Sequence, residues 1–178
     1  FLNTATLDYA AAPGLQGHAF LIVNSGVSHQ LTDSGYTTRV AECKAACEGL
    51  GVAHLSELGP EDLDRLDTLP EPLNRRARHV VTDNRLARAG YDALRDGDAV
   101  TFGRLMTESH ATARDNYEIT VPETDALVAA AEAEGALGAR QTGGGWGGAI
   151  VALVRADQAD RIGAELVVAR AMTGLPGW

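Results

Sequence analysis

The sequence predicts an α+β fold, a small β-sheet with helices packed on one side. Helical patterns occupy most of the chain, and the strand-like segments are few and lie far apart. The chain has 178 residues, of which 45% are hydrophobic. This length and composition allow one substantial domain with its own core.

The strand-like segments show alternating hydrophobicity or short apolar runs. Residues 1–9 alternate in character, and residues 19–23 form an apolar run that ends at Asn24-Ser25-Gly26. Two further strands are predicted over residues 137–142 and 149–154. These two flank a glycine-rich segment, so the predicted sheet leads directly into that segment.

Helical spacing of apolar residues predicts four long helices, over residues 37–50, 74–89, 98–113 and 157–172. Gly51 follows the first of them and is expected to cap its carboxyl end. Another helix begins near Pro122, with Thr120 as the expected cap and Glu123 completing a capping-box spacing. Residues 55–69 contain two shorter helical stretches broken by proline and glycine.

Charge and composition exclude several classes of protein. The formal net charge is −9, with 24 acidic against 15 basic side chains, which argues against a nucleic-acid partner. No apolar run is long enough to cross a bilayer, and no secretion signal is recognised, so neither a membrane partner nor secretion is expected. Cys43 and Cys47 lie on one helix face, where two thiols alone cannot complete a zinc site. Core-facing thiols in a reducing compartment are expected, and cytoplasm follows as the default location.

The segment 143–148 contains five glycines in six residues between two apolar strands. Glycine reaches positive φ and leaves no β-carbon in the way of a ligand, at an entropic cost of roughly 0.5–1 kcal/mol relative to alanine. Consecutive amide groups in such a loop can converge on an anion. The residues alone leave two interpretations open, a bare hairpin turn and an anion-binding loop.

Residues 138–148 (GARQTGGGWGG) resemble the third sequence motif of the galactokinases, which belong to the GHMP kinases (galactokinase, homoserine kinase, mevalonate kinase and phosphomevalonate kinase). Further segments resemble galactokinases in order and spacing: 24–29, 33–43, 76–81, 102–106, 108–110, 114–118 and 122–125. The resemblance covers nearly the whole chain. It implies a GHMP-kinase carboxyl-terminal domain over residues 1–178, with a small, antiparallel, ferredoxin-like sheet packed with helices. Residues 1–17 are then expected to be the tail of a missing amino-terminal domain, which is also a possible partner.

The resemblance further implies a kinase that uses ATP and Mg²⁺ to phosphorylate the anomeric hydroxyl of galactose. Gly143, Gly144 and Gly145 would line the ATP side, and Tyr36 would contact the sugar. A phenol suits this role because it offers an apolar face and a hydroxyl. The family's G-E-H-x-D and P-x-G-x-S-S-S-A motifs and its aspartate are absent here. Catalytic residues are therefore expected upstream of Phe1, and this chain alone is expected to be inactive.

Two departures from the family pattern leave other functions open. Galactokinases usually carry arginine where Ser28 and Ala5 stand, and losing two guanidinium groups can alter recognition of a charged ligand. One alternative is a non-catalytic sensor module that responds to sugar or ATP. Another is a GHMP kinase for a different sugar. His110 is open to interpretation as a general base or as a structural hydrogen-bonding residue, and the second is favoured.

Overall fold

The computed structural model of the chain describes residues 1–4, 6–27 and 34–172. These residues form one antiparallel sheet of three strands, in the order β1-β3-β2. The strands are β1 (His18–Asn24), β2 (Gly138–Thr142) and β3 (Ala149–Arg155). The small antiparallel sheet that the resemblance implied is therefore confirmed.

Most of the described chain is helical. The α-helices are α1 (Ser34–Leu50), α2 (Leu63–Leu66), α3 (Leu73–Asp96), α4 (Ala99–Thr112), α5 (Pro122–Ala133) and α6 (Ala159–Met172). Short 3-10 turns span Leu55–Glu57, Pro60–Asp62 and Ala156–Gln158, and a π-helical turn spans Ala113–Tyr117. No helix within the described ranges is long and apolar enough to cross a membrane.

Helices cover both faces of the sheet, so the prediction of helices on one side is wrong. Alternate side chains of the central strand β3 point to opposite faces of the sheet and belong to two hydrophobic cores. Ile150 and Val154 pack among α5 and α6, and both are fully buried. Leu153 points to the other face, where it packs with Ala99 and Met106 of α4. A strand that is buried on both faces is apolar throughout, and this explains the continuous run in β3.

A separate core joins α1, α2 and α3. Its fully buried members include Ala46, Leu66 and Ala77, one from each of these helices. Cys43 and Cys47 pack partly buried against this cluster, and both thiols are free. Burial raises the pKa of the Cys47 thiol. The expected core-facing thiols are thus confirmed.

The long predicted helices are confirmed with shifted ends, and so is the glycine stop at Gly51. Gly51 and Gly97 follow α1 and α3 with φ of +67° and +70°, the left-handed conformation of a helix stop. Helix α3 continues seven residues beyond the predicted end at residue 89, because Gly90 and Ala93 extend its buried face.

The predicted strand over residues 1–9 is wrong. Leu2 and Tyr9 form an isolated antiparallel bridge, and the chain between them turns back on itself. The Leu7 amide donates to the Asn3 carbonyl at 2.8 Å, and Leu7 has φ +63°. Alternating character alone cannot distinguish a sheet strand from such a short reversal. The assignment of residues 1–17 to a preceding domain stays a prediction.

The predicted cap of α5 is displaced by one residue. Val121 is the N-cap and Pro122 the first helical residue, as predicted for the proline. Proline is favoured at the first helical position because it has no backbone N–H, and an N–H at this position would have no partner within the helix. The residue before the proline is then the cap. The residue that reaches back to the cap amide is Thr124, whose Oγ1 accepts from Val121 at 3.2 Å. Thr120 and Glu123 do not have the predicted capping roles.

Candidate functional site

The backbone of the glycine loop (residues 143–148, between β2 and β3) lies largely in the left-handed region. The φ angles of Gly143, Gly145, Gly147 and Gly148 are +95°, +99°, +127° and +81°. Glycine is required at such positions because a β-carbon would be strained there. The loop also holds Trp146 at φ +52°, a cost of order 1–2 kcal/mol for a residue with a side chain. The surrounding contacts must therefore hold Trp146 in place.

The glycine loop has an open side and a packed side. A β-carbon placed on Gly143 or Gly144 would meet nothing within 4 Å, and both residues are exposed. A β-carbon on Gly145 would lie 2.9 Å from Ile119 Cβ, and one on Gly147 would lie 2.7 Å from the Val27 carbonyl oxygen. The free space for a ligand therefore lies at Gly143 and Gly144, whereas Gly145 contacts the protein.

The end of β1 anchors the packed side of the glycine loop. The Ser25 amide donates to the Gly148 carbonyl at 2.7 Å, and the Ser25 hydroxyl donates to the same oxygen at 2.8 Å. The Gly148 amide in turn donates to the Val27 carbonyl at 3.0 Å. Ser25 is fully buried. These contacts fix one end of the loop to a strand that is distant in sequence.

The start of α1 meets the same loop. A β-carbon on Gly35 would lie 3.0 Å from the Trp146 ring, so the indole packs against the first turn of α1. Tyr36 follows directly and is 61% exposed. The structure thus places Tyr36 and the glycine loop, which are about a hundred residues apart in sequence, on neighbouring parts of the molecule. Ser28 and Ala5, the two departures from the family pattern, lie outside the described residues.

His110 is held inside the fold between two partners. Its Nδ1 accepts from the Gln141 amide at 3.2 Å, and its Nε2 lies 3.1 Å from Asp125 Oδ1. Burial and, less strongly, the nearby Arg114 and Arg140 charges outweigh Asp125 and lower the pKa of His110. With Nδ1 as acceptor, the neutral ring carries its proton on Nε2. The ring is buried and its Nδ1 is hydrogen-bonded to the backbone of β2, and this favours the structural interpretation of His110 over a general base.

A cluster of opposite charges joins α1, α3 and the π-helical turn. Arg76 is 3% exposed in its side chain and donates to Glu42 at 2.7 Å and to Glu118 at 2.6 Å. Its guanidinium also donates to the Asn116 carbonyl at 2.6 Å. Hydrogen bonds from Arg75 and Arg76 lower the pKa of Glu118. These carboxylates are saturated by arginine, so the cluster supports the fold and offers no free base.

Sequence reasoning missed the residues that hold the loop, among them Ser25, Thr124 and Gln141. A signal existed for Gln141, because alternation along β2 places it on the same face as the buried Ala139. A polar side chain there required a partner inside the fold. Nothing local identified that partner, which belongs to α5. Arg114 and Asp115 form an exposed ion pair.

The described residues suit an anion better than a metal ion. Across residues 1–4, 6–27 and 34–172, no group of three or more histidine, cysteine, aspartate or glutamate residues could hold a metal. The open backbone at Gly143 and Gly144 provides the space that a phosphate group needs. Among the described residues, the exposed backbone at Gly143 and Gly144 is therefore the candidate ligand site.

Comparison with known proteins agrees with the geometry. Residues 91–169 match the family described as "GHMP kinases C terminal". The galactokinase of Thermotoga neapolitana is 39% identical over 168 residues, covering 93% of this chain and 47% of that protein. The galactokinase of Bos taurus is 44% identical over 146 residues, covering 81% of this chain and 37% of that protein.

Solved structures show the same relationship. The galactokinase of Lactococcus lactis complexed with galactose superposes with a TM-score of 0.92 at 34% identity, covering 98% of this chain and 47% of that one. The L. major mevalonate kinase in complex with R-mevalonate shares the fold, with a TM-score of 0.57 at 23% identity, over 86% of this chain and 39% of that one. The chain spans about half the length of the galactokinases it matches. It therefore carries the carboxyl-terminal domain of the GHMP kinases, in the form found in galactokinases.

Proposed function

We propose that the chain is the carboxyl-terminal part of an ATP-dependent sugar kinase that phosphorylates the anomeric hydroxyl of galactose. The observation that carries this proposal is the meeting of the glycine loop with the start of α1 through Trp146 and Gly35. It supports an anion-binding role for the open backbone of the loop near the exposed Tyr36. The similarity to a galactokinase that was solved with galactose supports the choice of sugar.

Each element has a defined task in this proposal. The nucleotide supplies the phosphoryl group, and backbone amides at Gly143 and Gly144 line its phosphate side, with Gly145 packed on Ile119 behind them. The Tyr36 ring contacts the sugar through its apolar face and its hydroxyl. Phosphoryl transfer also needs a metal ion and a group that orients the attacking hydroxyl. We place the Mg²⁺ ligands and the catalytic residues in the part of the galactokinase length that this chain does not span.

Cellular location follows the same proposal. A kinase that uses ATP and carries the free thiols Cys43 and Cys47 fits a reducing compartment, and we propose the cytoplasm. We also retain the assignment of residues 1–17 to the tail of the preceding domain. Immunolocalisation of the natural protein and limited proteolysis of the chain around residue 17 test these two points.

Activity measurements on the complete reading frame that encodes this chain test the proposal. We expect galactose-dependent consumption of ATP from the complete protein and none from the purified 178-residue chain. A coupled assay of ADP formation, run with a panel of aldoses, measures both. Absence of turnover with every aldose would refute the kinase proposal, and preference for another sugar would correct the substrate. Turnover by the 178-residue chain would contradict the assignment of catalytic residues to the unspanned part.

A sensor is the second candidate, because Ser28 stands where galactokinases usually carry arginine. Calorimetry on the complete protein separates the two candidates. Binding of galactose and ATP without turnover supports the sensor. Turnover excludes a purely non-catalytic module.

Two substitutions are expected to separate nucleotide binding from sugar binding. Gly144→Ala adds a methyl group in open space at a position without positive φ, so the fold tolerates it while a bound phosphate is obstructed. We expect a rise of about tenfold in KM for ATP, equal to roughly 1.4 kcal/mol. Tyr36→Ala is expected to raise KM for galactose by a similar factor with little change in KM for ATP. Steady-state kinetics on the complete protein measures both.

Gly14→Ala is the matched control, because a β-carbon there also meets nothing within 4 Å and the residue lies away from the loop. We expect unchanged kinetics from this control. An unchanged KM for ATP in Gly144→Ala would show that the open side of the loop does not face the nucleotide. An unchanged KM for galactose in Tyr36→Ala would remove that residue from the sugar site.

A further inference from the structure

A buried hydrogen-bonded chain runs from the first turn of α5 to the glycine loop. The Thr124 hydroxyl donates to Gln141 Oε1 at 2.7 Å, and Gln141 Nε2 donates to the Ile119 carbonyl at 3.0 Å. The same Ile119 carbonyl accepts the amide of Trp146 at 2.5 Å. Thr124 is fully buried and Gln141 is 5% exposed. One carbonyl thus links a side chain of β2 with the residue that the loop holds at positive φ.

The position of Ile119 determines where the loop can lie. A β-carbon on Gly145 would be 2.9 Å from Ile119 Cβ and 3.0 Å from its carbonyl oxygen, so the loop rests directly on this residue. Ile119 follows the π-helical turn and Glu118, which has φ +54°, and its amide donates to Ala113 at 3.2 Å. The chain therefore reverses direction sharply just before Ile119. A second hydrogen bond, to the Ile119 carbonyl, fixes the position of this residue beneath the loop.

Gln141 provides that hydrogen bond through its side-chain Nε2, which donates to the Ile119 carbonyl. Its Oε1 accepts from Thr124, and its backbone amide donates to His110. A buried primary amide costs free energy unless its polar groups are satisfied, and here each of these groups has a partner. Buried hydrogen bonds of this kind favour one arrangement of the elements they join. In this case those elements are α4, α5, β2 and the loop.

We propose that Thr124 and Gln141 are positioning residues that hold the glycine loop in the geometry that accepts the nucleotide phosphates. This inference rests on the proposed function and assigns that site two residues that act through the Ile119 carbonyl. Neither side chain reaches the open side of the loop, because both are buried beneath it. Their effect on the nucleotide is transmitted through Trp146 and Gly145.

The test uses four variants of the complete protein. Thr124→Val keeps the shape and removes the hydroxyl, whereas Thr124→Ser keeps the hydroxyl. Gln141→Met removes both side-chain hydrogen bonds of Gln141. Val128→Ala is the matched structural control, since Val128 is 4% exposed on the same helix and packs in the core of α5, α6 and the sheet.

We expect Thr124→Val and Gln141→Met to raise KM for ATP by about tenfold while KM for galactose stays within about twofold, as loss of one or two buried hydrogen bonds allows. Thr124→Ser should have the same KM for ATP as the unmodified protein. Val128→Ala should lower the melting temperature and leave the KM for ATP unchanged. If Thr124→Val and Gln141→Met lower the melting temperature as the control does, without a change in KM for ATP, the positioning role is overturned.

The two proposals fail in distinguishable ways. If the unmodified complete protein shows no turnover with any aldose, the kinase function fails, and calorimetric titration of ATP on the same four variants tests the positioning role. Weaker ATP binding in Thr124→Val but not in Val128→Ala then supports it. If the unmodified protein does not bind ATP, both proposals are overturned.

Discussion

Gly138→Ala is expected to lower the free energy of unfolding by about 3 kcal/mol, the upper part of the usual range for overpacking. A β-carbon on Gly138 would lie 1.8 Å from the carbonyl oxygen of Gly103, far inside the contact distance of non-bonded atoms. The approach is reciprocal, because a β-carbon on Gly103 would lie 2.3 Å from the Leu137 carbonyl oxygen. Helix α4 and the start of β2 therefore touch backbone to backbone, and one methyl group forces them apart.

Urea denaturation of the 178-residue chain measures this effect, with Gly163→Ala as the control. Gly163 lies in α6, and a β-carbon there meets nothing within 4 Å. Alanine at an open helical position is expected to stabilise the fold by roughly 0.5–1 kcal/mol. Two glycine-to-alanine changes should thus act in opposite directions. A Gly138→Ala protein as stable as the unmodified chain would show that α4 does not pack on β2 in this way.

Arg76→Met is expected to cost about 3–5 kcal/mol of stability, as removal of one partner of a buried ion pair does. Arg76 is 3% exposed in its side chain, and its loss removes one of the two arginine partners of Glu42, leaving Arg39. Glu118, which is 45% exposed, should contribute less because water screens it. Arg76→Lys should recover only part of the loss, since an ammonium lacks the forked donors.

The same substitution should change how stability depends on pH. Hydrogen bonds from Arg75 and Arg76 hold the pKa of Glu118 below its ordinary value in the folded protein. This contribution is present at neutral pH, above the pKa of the unfolded state, and is lost as pH falls through the folded-state pKa. The loss of unfolding free energy caused by Arg76→Met should therefore be smaller at acidic pH than at neutral pH. Urea denaturation from pH 7 down to pH 3 measures it.

Arg85→Met serves as the control, because the Arg85–Glu108 pair is exposed by 44% and 38%. Exposed ion pairs contribute about 0–1 kcal/mol, so this change should have little effect. Equal losses from Arg76→Met and Arg85→Met would contradict a special contribution from burial. The comparison thus isolates the buried environment of the charge, since both variants replace the same side chain by methionine.

The glycine loop shows how far the sequence determined the candidate site. Five glycines between two apolar runs predicted a loop with positive φ, and four of the five adopt it. Such a signal is local, because positive φ depends on the residue itself. The difference in space around Gly144 and Gly145 was beyond prediction, because it is set by Ile119, a residue from another part of the chain.

What the sequence by itself determined were features whose cause lies within a few residues: the helices with their periodic apolar faces, the glycine stop at Gly51, and the strands on either side of the loop. Only the tertiary structure decided that helices cover both faces of the sheet, and that Gly103 meets Gly138. It also decided that Thr124 bonds Gln141 and supports the loop. Periodicity shows which face of an element is apolar, but only the folded chain shows which element covers it. Contacts between distant residues depend on that choice.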